Sequence, residues 1–549
     1  MHFISLPFFI FFIVLLMIYY TVPVRMQVII LLSGSLLFYG WADLRFLIYI
    51  LFTGFTVFLA GVFIGRINEA RQSFLNNSKS NQSPDKIIAE RQKQSVQKRL
   101  YKIDRIRKAV FWLALFLNLG ILAGTKYTNF FIGSINAVFG SSVSFIHLLV
   151  PMGISFYTFQ SLGYLIDVYR GTVSYEKSLI RFMLFTSFFP QLIQGPISRY
   201  SDLSTTLYEP HVFSIDTILR GAERILWGLF KKLVIADRLK PLVDAVFSAG
   251  EGLTVTLAEE RSGVIIFVGM IFFVLMLYAD FSGGIDITIG IAETLGIKVT
   301  ENFKQPFFSR SLKEYWRRWH ITMGSWFRDY VFYPVSMSKG MRGLILWSKK
   351  HLGKTVARKA PVYIATFITW FATGIWHGAG WNYVCWGLAN CLILILSEEL
   401  EPLYAKLRNR LYICNTFVFR VFCSLRTFLL ICFLNLFDCT GSFSAAVTAF
   451  SSIFTAWNSQ VLFNGSVLQL GLGVGDFIVI ACALFVVFCV DLYEYRASSF
   501  ENGLDLRTRI HQLPSVLTML IYYILFMAVI IFGVYGIGYD SVQFIYNRF

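Results

Sequence analysis

Ten to twelve membrane-spanning helices, some separated by re-entrant pieces, make up the all-α polytopic membrane fold that this sequence predicts. Three observations predict it. Apolar residues are 56% of the 549, charged residues are 15%, and the mean hydropathy is +0.61, far from the balance of a soluble domain. Apolar stretches of about 20 residues recur along the chain, each long enough to cross a bilayer as a helix. No polar stretch is long enough to hold a large soluble domain. Positive charge is also clustered: of a net +17, residues 66–108 hold 12 Lys/Arg against 4 Asp/Glu, and residues 304–359 hold 13 against 2. In an apolar chain such clusters follow the positive-inside rule and belong in the cytoplasm, a better account of them than nucleic-acid binding.

Residues 3–22 give the first span. They lack a basic leader and a small-residue cleavage site, so they read as a retained helix rather than a signal peptide. Runs at 26–40 and 44–65 follow. With the 66–108 loop inside, counting back places Arg25 inside and the N-terminus outside. Glu90–Lys108 reads more simply as a solvated charge run than as a surface helix. Spans at 109–125 and 143–168 come next. In Phe188–Tyr200, two prolines and a glycine interrupt an apolar run and cannot continue a regular helix. Irregular backbone at membrane depth persists only inside protein or along a wet cavity, so this stretch reads as re-entrant. Helices at 222–236 and 262–281 follow, and Asp280 and Asp286 stand among apolar residues. Spans near 381–397, 416–437, 474–492 and 514–538 complete the set and deliver the tail to the outside. This divides the chain into N-terminal helices (1–65), a basic cytoplasmic loop (66–108), a core (109–397), C-terminal helices (398–538) and an extracytoplasmic tail (539–549). The eight cysteines form no CxxC pair, so neither a metal site nor a disulfide framework is indicated.

Two histidines stand out. His377 follows the apolar run Pro361–Trp376, is flanked by Gly374, Gly378 and Gly380, and is followed at once by a second apolar run, Trp381–Leu396. An imidazole at membrane depth costs free energy unless it is partnered or faces a cavity. A packing histidine hydrogen-bonded at a helix end is an equal reading. His320 lies in Ser311–Tyr330, where helical spacing puts Lys313, Trp316, Arg317, His320, Gly324 and Phe327 on one face. That stripe suits a membrane-interface helix, and it equally suits the wall of a site for an anionic donor, because arginine binds phosphate through paired hydrogen bonds. The chain has no Gly-x-Ser-x-Gly elbow, His-Glu-x-x-His, Walker loop or Rossmann fingerprint. A histidine base is sufficient when an acyl donor is already activated as a thioester, and it is worth roughly 10²–10⁴-fold in rate.

Trp316-Arg-Arg-Trp-His-Ile321 and Gly374-Ile-Trp-His-Gly378 resemble the two histidine motifs of the membrane-bound O-acyltransferase family, closest to its bacterial branch that acylates cell-surface polymers. The stretches Ile154–Gln160, Asp167–Arg170, Phe189–Pro196, Asp280–Gly283 and Glu301–Pro306 also resemble that branch, in the expected order, over about residues 150–390. The resemblance implies that His377 is the catalytic base, with His320 as the second functional histidine. Trp316, Arg317, Arg318 and Arg328 become candidate contacts to the donor, and Trp376, Asp280, Asn302 and Gln194 become pocket support. The 56 residues between the histidines include a basic insert, Ser338–Lys359, that departs from the usual connection.

The C-terminal Phe544-Ile-Tyr-Asn-Arg-Phe549 resembles a tail in which a tyrosine receives the acyl group, here Tyr546; an aromatic interface anchor is the plain alternative. The implied function is transfer of an acyl group, foremost acetyl, from a cytoplasmic thioester (acetyl-CoA or an acyl-carrier protein) toward hydroxyls of an exported polysaccharide. It implies the bacterial cytoplasmic membrane, a lipid surround and no bound cofactor. It also implies an extracytoplasmic esterase-like partner of the SGNH type. D-alanyl transfer to teichoic acid keeps the same fold with different cargo. A proton-coupled transporter or flippase, using the histidines and buried aspartates as proton carriers, is the rival from another class.

Overall fold

The computed structural model describes residues 3–80, 86–247, 261–410, 416–500 and 503–535. Among these, every regular element is helical. Eight helices are long and apolar enough to cross a bilayer, and three shorter apolar helices, Leu6–Thr21, Thr128–Phe139 and Phe443–Thr455, accompany them. The chain is a multi-pass membrane protein. It divides into two compact units, one of residues 1–218 with 292–300, the other of residues 219–291 with 301–549.

In the first unit the basic 66–108 region is helical on both arms. Helix Phe46–Ser80 extends past the expected span, and helix Lys86–Lys126 runs unbroken from charged residues into apolar ones. The expected charge run at Glu90–Lys108 is thus the polar end of a spanning helix. Arg71 and Asp104 meet at 3.4 Å between the two arms, and Asn118 donates to the Thr56 hydroxyl at 3.1 Å. The span expected at 143–168 is shorter than its sequence suggests. Residues 140–150 have no regular structure and are largely exposed, and the helix starts at Ile154. Pro151 and Gly153 set that start. Gly153 has φ 69°, and a Cβ there would stand 2.1 Å from the Leu192 carbonyl oxygen, so only glycine fits. The expected interruption is present: helix Leu179–Ser187 stops, Phe189–Gln194 makes a short turn, and Gly195 is extended. All of residues 188–198 are buried.

The second unit is organised on helix Gly263–Thr294, longer than the expected 262–281. Glycines let its neighbour, Ile215–Leu229, approach backbone to backbone. A Cβ on Gly228 would lie 2.5 Å from the Gly283 carbonyl, and one on Gly290 would lie 2.6 Å from the Gly221 carbonyl. Close contact of this kind through small residues is how membrane helices associate without a hydrophobic drive between them. The neighbour then widens into a π-helical segment, Phe230–Ala236, that presents two consecutive lysines inward. Lys232 Nζ is 2.5 Å from Asp280 and 2.8 Å from Asp237; Lys231 Nζ is 2.5 Å from Asp286. Arg224 reaches Asp286 at 2.6 Å and Glu301 at 2.8 Å. Asp280 is therefore part of an ion-pair ladder that joins two helices.

Removing one partner of a buried pair leaves the other charge uncompensated, at roughly 3–5 kcal/mol. Lys232→Met should lower stability by that order, read as a clear drop in the unfolding midpoint of the purified protein in detergent. Arg45→Met, in an exposed pair with Asp43, should leave the midpoint essentially unchanged, because solvent screens such a pair.

Candidate functional site

The site is built around a break in the chain at His320. Helix Leu312–Arg318 opens with Ser311, whose hydroxyl accepts the Glu314 N–H at 3.2 Å, and ends at Trp319, which is extended. His320 then takes φ 47°, and a new helix, Ile321–Phe327, begins. The single helical face expected from Lys313 to Phe327 does not form. Backbone hydrogen bonds explain the break, because the 302–304 segment lies alongside it. The Lys304 N–H donates to the Arg318 carbonyl at 2.9 Å, and the Ile321 N–H donates to the Asn302 carbonyl at 3.0 Å. A left-handed conformation at a non-glycine residue costs about 1–2 kcal/mol. His320 and Gln305 are the two non-glycine residues with positive φ among the described residues.

Asn302 holds the break in place. Its Oδ1 accepts the Thr322 N–H at 3.1 Å and the Thr322 hydroxyl at 2.9 Å, and it sits 3.2 Å from His320 Nδ1. A backbone N–H can only donate, so this atom is the carbonyl oxygen and His320 Nδ1 must carry the proton toward it. In the neutral ring the lone pair is then on Nε2. His320 is fully buried. Burial first, and the nearby charge of His377 second, hold its pKa well below the ordinary 6.5.

His377 is the last residue of helix Lys354–His377. Its position depends on two glycines. A Cβ on Gly374 would lie 2.6 Å from the Tyr383 carbonyl, and one on Gly387 would lie 2.4 Å from the Trp370 carbonyl, so this helix and Trp381–Arg410 pack in backbone contact. The His377 ring lies 4.5 Å from Trp386, centroid to centroid. Trp376 packs against both histidines, with its ring 5.2 Å from that of His377 and 5.9 Å from that of His320. On the far side of Trp386, at 5.5 Å, is Trp316, whose indole N–H donates to Asn390 Oδ1 at 3.0 Å. His377 is half-buried and opens on a pocket of about 30 Å³ walled by aromatic rings, Asn435 and Asp438, room for a water or two.

The structure thus brings His320, His377, Trp316, Trp376 and Asn302 together. Asp280 is held in the ion-pair ladder; its neighbour Phe281 is the residue that touches His320, at 4.9 Å. The arginines divide. Arg328 pairs with Asp329 at 2.8 Å, Arg318 pairs with Glu314 at 2.9 Å, and Arg317 is exposed with no ion pair among the described residues. Gln194 belongs to the first unit, where it is fully buried and neither amide atom has a hydrogen-bond partner among the described residues. Tyr546 lies outside the described residues. Trp386, Asn390 and Asp438 were not singled out from sequence; the signal for Asn390 is an amide in the middle of an otherwise apolar run.

The sequence profile of "MBOAT, membrane-bound O-acyltransferase family" matches residues 172–346, a segment that includes His320 and stops short of His377. The chain is 33% identical over 391 residues to the "Probable alginate O-acetylase AlgI" of Azotobacter vinelandii, covering 70% of this chain and 66% of that protein. It is 28% identical over 308 residues to the "Peptidoglycan O-acetyltransferase" of Helicobacter pylori, covering 51% and 54%. It is 26% identical over 260 residues to the "Teichoic acid D-alanyltransferase" of Bacillus subtilis, covering 46% and 60%. The chain therefore spans slightly under two thirds of the length of the first of these relatives, and less of the others.

Two outcomes follow for the clamp. Asn302→Leu leaves buried donors on His320 and Thr322 without their acceptor, about 1–3 kcal/mol each, and should lower the unfolding midpoint; Asn302→Asp, which retains an acceptor, should restore part of the loss. The folded state resists protonating His320, whereas the unfolded chain takes the proton near pH 6.5. This contribution to stability is therefore intact above that value and declines as pH falls below it. Unfolding midpoints measured from pH 7.5 to 5 should show that slope, and it should flatten in His320→Gln.

Proposed function

Because the chain belongs to the membrane-bound O-acyltransferase family, we propose that it moves an acyl group, foremost acetyl, from a cytoplasmic thioester toward hydroxyls of an exported cell-surface polysaccharide. The observation that carries this reading is the pair of imidazoles that both contact Trp376, of which His377 opens on a pocket while His320 is sealed and anchored by Asn302. His377 acts as the general base and His320 assists. An acceptor hydroxyl gives its proton to a His377 ring nitrogen as its oxygen attacks the thioester carbonyl. The C–O bond forms, the C–S bond breaks, and the departing thiolate takes the proton back from the imidazolium. Aromatic walls exclude water, which would otherwise hydrolyse the thioester. Arg317, exposed and without an ion pair among the described residues, is the best placed of the three arginines to meet an anionic donor.

Tyr546 in the extracytoplasmic tail is the proposed first acceptor, from which an esterase-like partner outside the membrane completes the transfer. Both chain termini then lie outside. Similarity to the teichoic acid D-alanyltransferase supports a second reading, with D-alanyl as cargo.

The test is the amount and identity of alkali-released acyl groups on surface polymers of a deletion strain, complemented at matched protein levels. Wild type should restore released acetate, and His377→Ala should reduce it by roughly 10²-fold or more. His320→Ala should cut it strongly and Tyr546→Phe should abolish the relay. Released D-alanine in place of acetate would establish the second reading. No ester difference between wild type and His377→Ala would refute acyl transfer to surface polymers.

A further inference from the structure

The second unit holds a cavity of about 760 Å³ whose lining includes neither His320 nor His377. Its wall is graded from apolar to charged. On helix Val474–Ala497 the lining residues run from Val486 and Val490 to Asp491 and Glu494. On helix Ser515–Phe532 the aliphatic lining is Ile521, Ile524, Leu525 and Ala528, and the segment joining the two helices contributes Asp505 and Arg507 beside Leu506 and Ile510. The joined ends of the two helices are therefore the polar end of the cavity. The aliphatic walls are partly exposed at the surface of the helices: Val486 is 41% exposed and Ile524 is 59% exposed, where hydrocarbon surrounds the protein.

Most of the charge in this cavity is already used. Arg224 pairs with Asp286 and Glu301, Lys231 pairs with Asp286, and Arg507 lies 3.4 Å from Glu223. Lys304, Asp491, Glu494 and Asp505 have no ion pair among the described residues. Asp491 accepts the Tyr278 hydroxyl at 2.9 Å, and Glu494 accepts the Leu506 N–H at 2.7 Å. Each carboxylate keeps further lone pairs for a ligand. Ionisable side chains that line a cavity in a membrane protein and keep hydrogen-bonding capacity to spare are a binding-site hypothesis by default.

We propose that this cavity binds one zwitterionic glycerophospholipid with a phosphoethanolamine head. The phosphate lies toward Lys304, the ammonium toward Asp491 and Glu494, and an acyl chain along Val486, Val490, Leu525 and Ala528. Three carboxylates without an ion pair, Asp491, Glu494 and Asp505, against one such cation, Lys304, disfavour a purely anionic lipid and the phosphates of a nucleotide-bearing donor. A choline head fits less well, since its ammonium has no N–H to donate to the carboxylates. The site does not depend on acyl transfer.

The experiment is native mass spectrometry of the delipidated full-length protein in detergent. It is titrated separately with phosphatidylethanolamine, phosphatidylglycerol, phosphatidylcholine and soluble glycerophosphoethanolamine. Phosphatidylethanolamine should be retained at roughly three- to fivefold lower concentration than either other lipid, the equivalent of one favourable charge pair. Asp491→Asn with Glu494→Gln should erase that preference. Ala528→Trp, which fills the aliphatic end, should weaken retention of the lipid by a similar factor. Lys304 is exposed, so Lys304→Gln supplies a variant that keeps the fold and should also weaken it. Equal retention of the three lipids would overturn the proposal, as would lipid retention unchanged in all these variants. Retention of glycerophosphoethanolamine as tight as that of the lipid would assign the site to a free zwitterion and overturn the lipid.

Discussion

A charge carried into the interior of a membrane protein must bring its counter-charge with it, and the second unit is built on that constraint. Lys231 and Lys232 on the π-helical segment meet Asp286 and Asp280 on helix Gly263–Thr294, and Arg224 ties Asp286 to Glu301. Each ion alone would cost several kcal/mol to bury. Together they fix how the two helices face one another, while the Gly228–Gly283 and Gly221–Gly290 contacts fix how closely they approach. A π-helical segment in place of an α-helical turn is what turns two adjacent lysines to one side.

The histidine site rests on this frame. Glu301, held by Arg224, immediately precedes Asn302, the residue that anchors His320. Asp280, held by Lys232, immediately precedes Phe281, whose ring packs on His320. The ladder thus holds the two segments that support the imidazole. Asn302 in turn fixes the His320 tautomer, and Trp376 packs against both histidines. The aspartates are paired with lysines rather than standing alone as proton carriers would, which weighs toward a structural role for them and against the transporter alternative.

The wall between the histidine pocket and the large cavity is aromatic. Tyr278 and Phe303 line the cavity, Trp319 lines the pocket, and the three rings stand 5.0–6.1 Å apart. A ring layer of this kind separates the charged cavity from the imidazoles, and its Tyr278 hydroxyl is turned to Asp491 on the cavity side.

The sequence by itself determined the all-α membrane class, both histidine motifs and the interruption within Phe188–Tyr200. These are legible because they rest on local features: runs of apolar residues, prolines without an N–H, and glycines without a Cβ. It misread the Lys313–Phe327 stripe as one helix and the 143–168 run as one span. It also named Asp280 as pocket support without a partner for its charge. Only the tertiary structure decided those points. The break at His320 is made by hydrogen bonds to Asn302, 18 residues away, and Asp280 is satisfied by Lys232, 48 residues away. Local periodicity reports which way a side chain would point if its helix continued. Whether the helix continues depends on a competing partner that arrives from elsewhere in the chain.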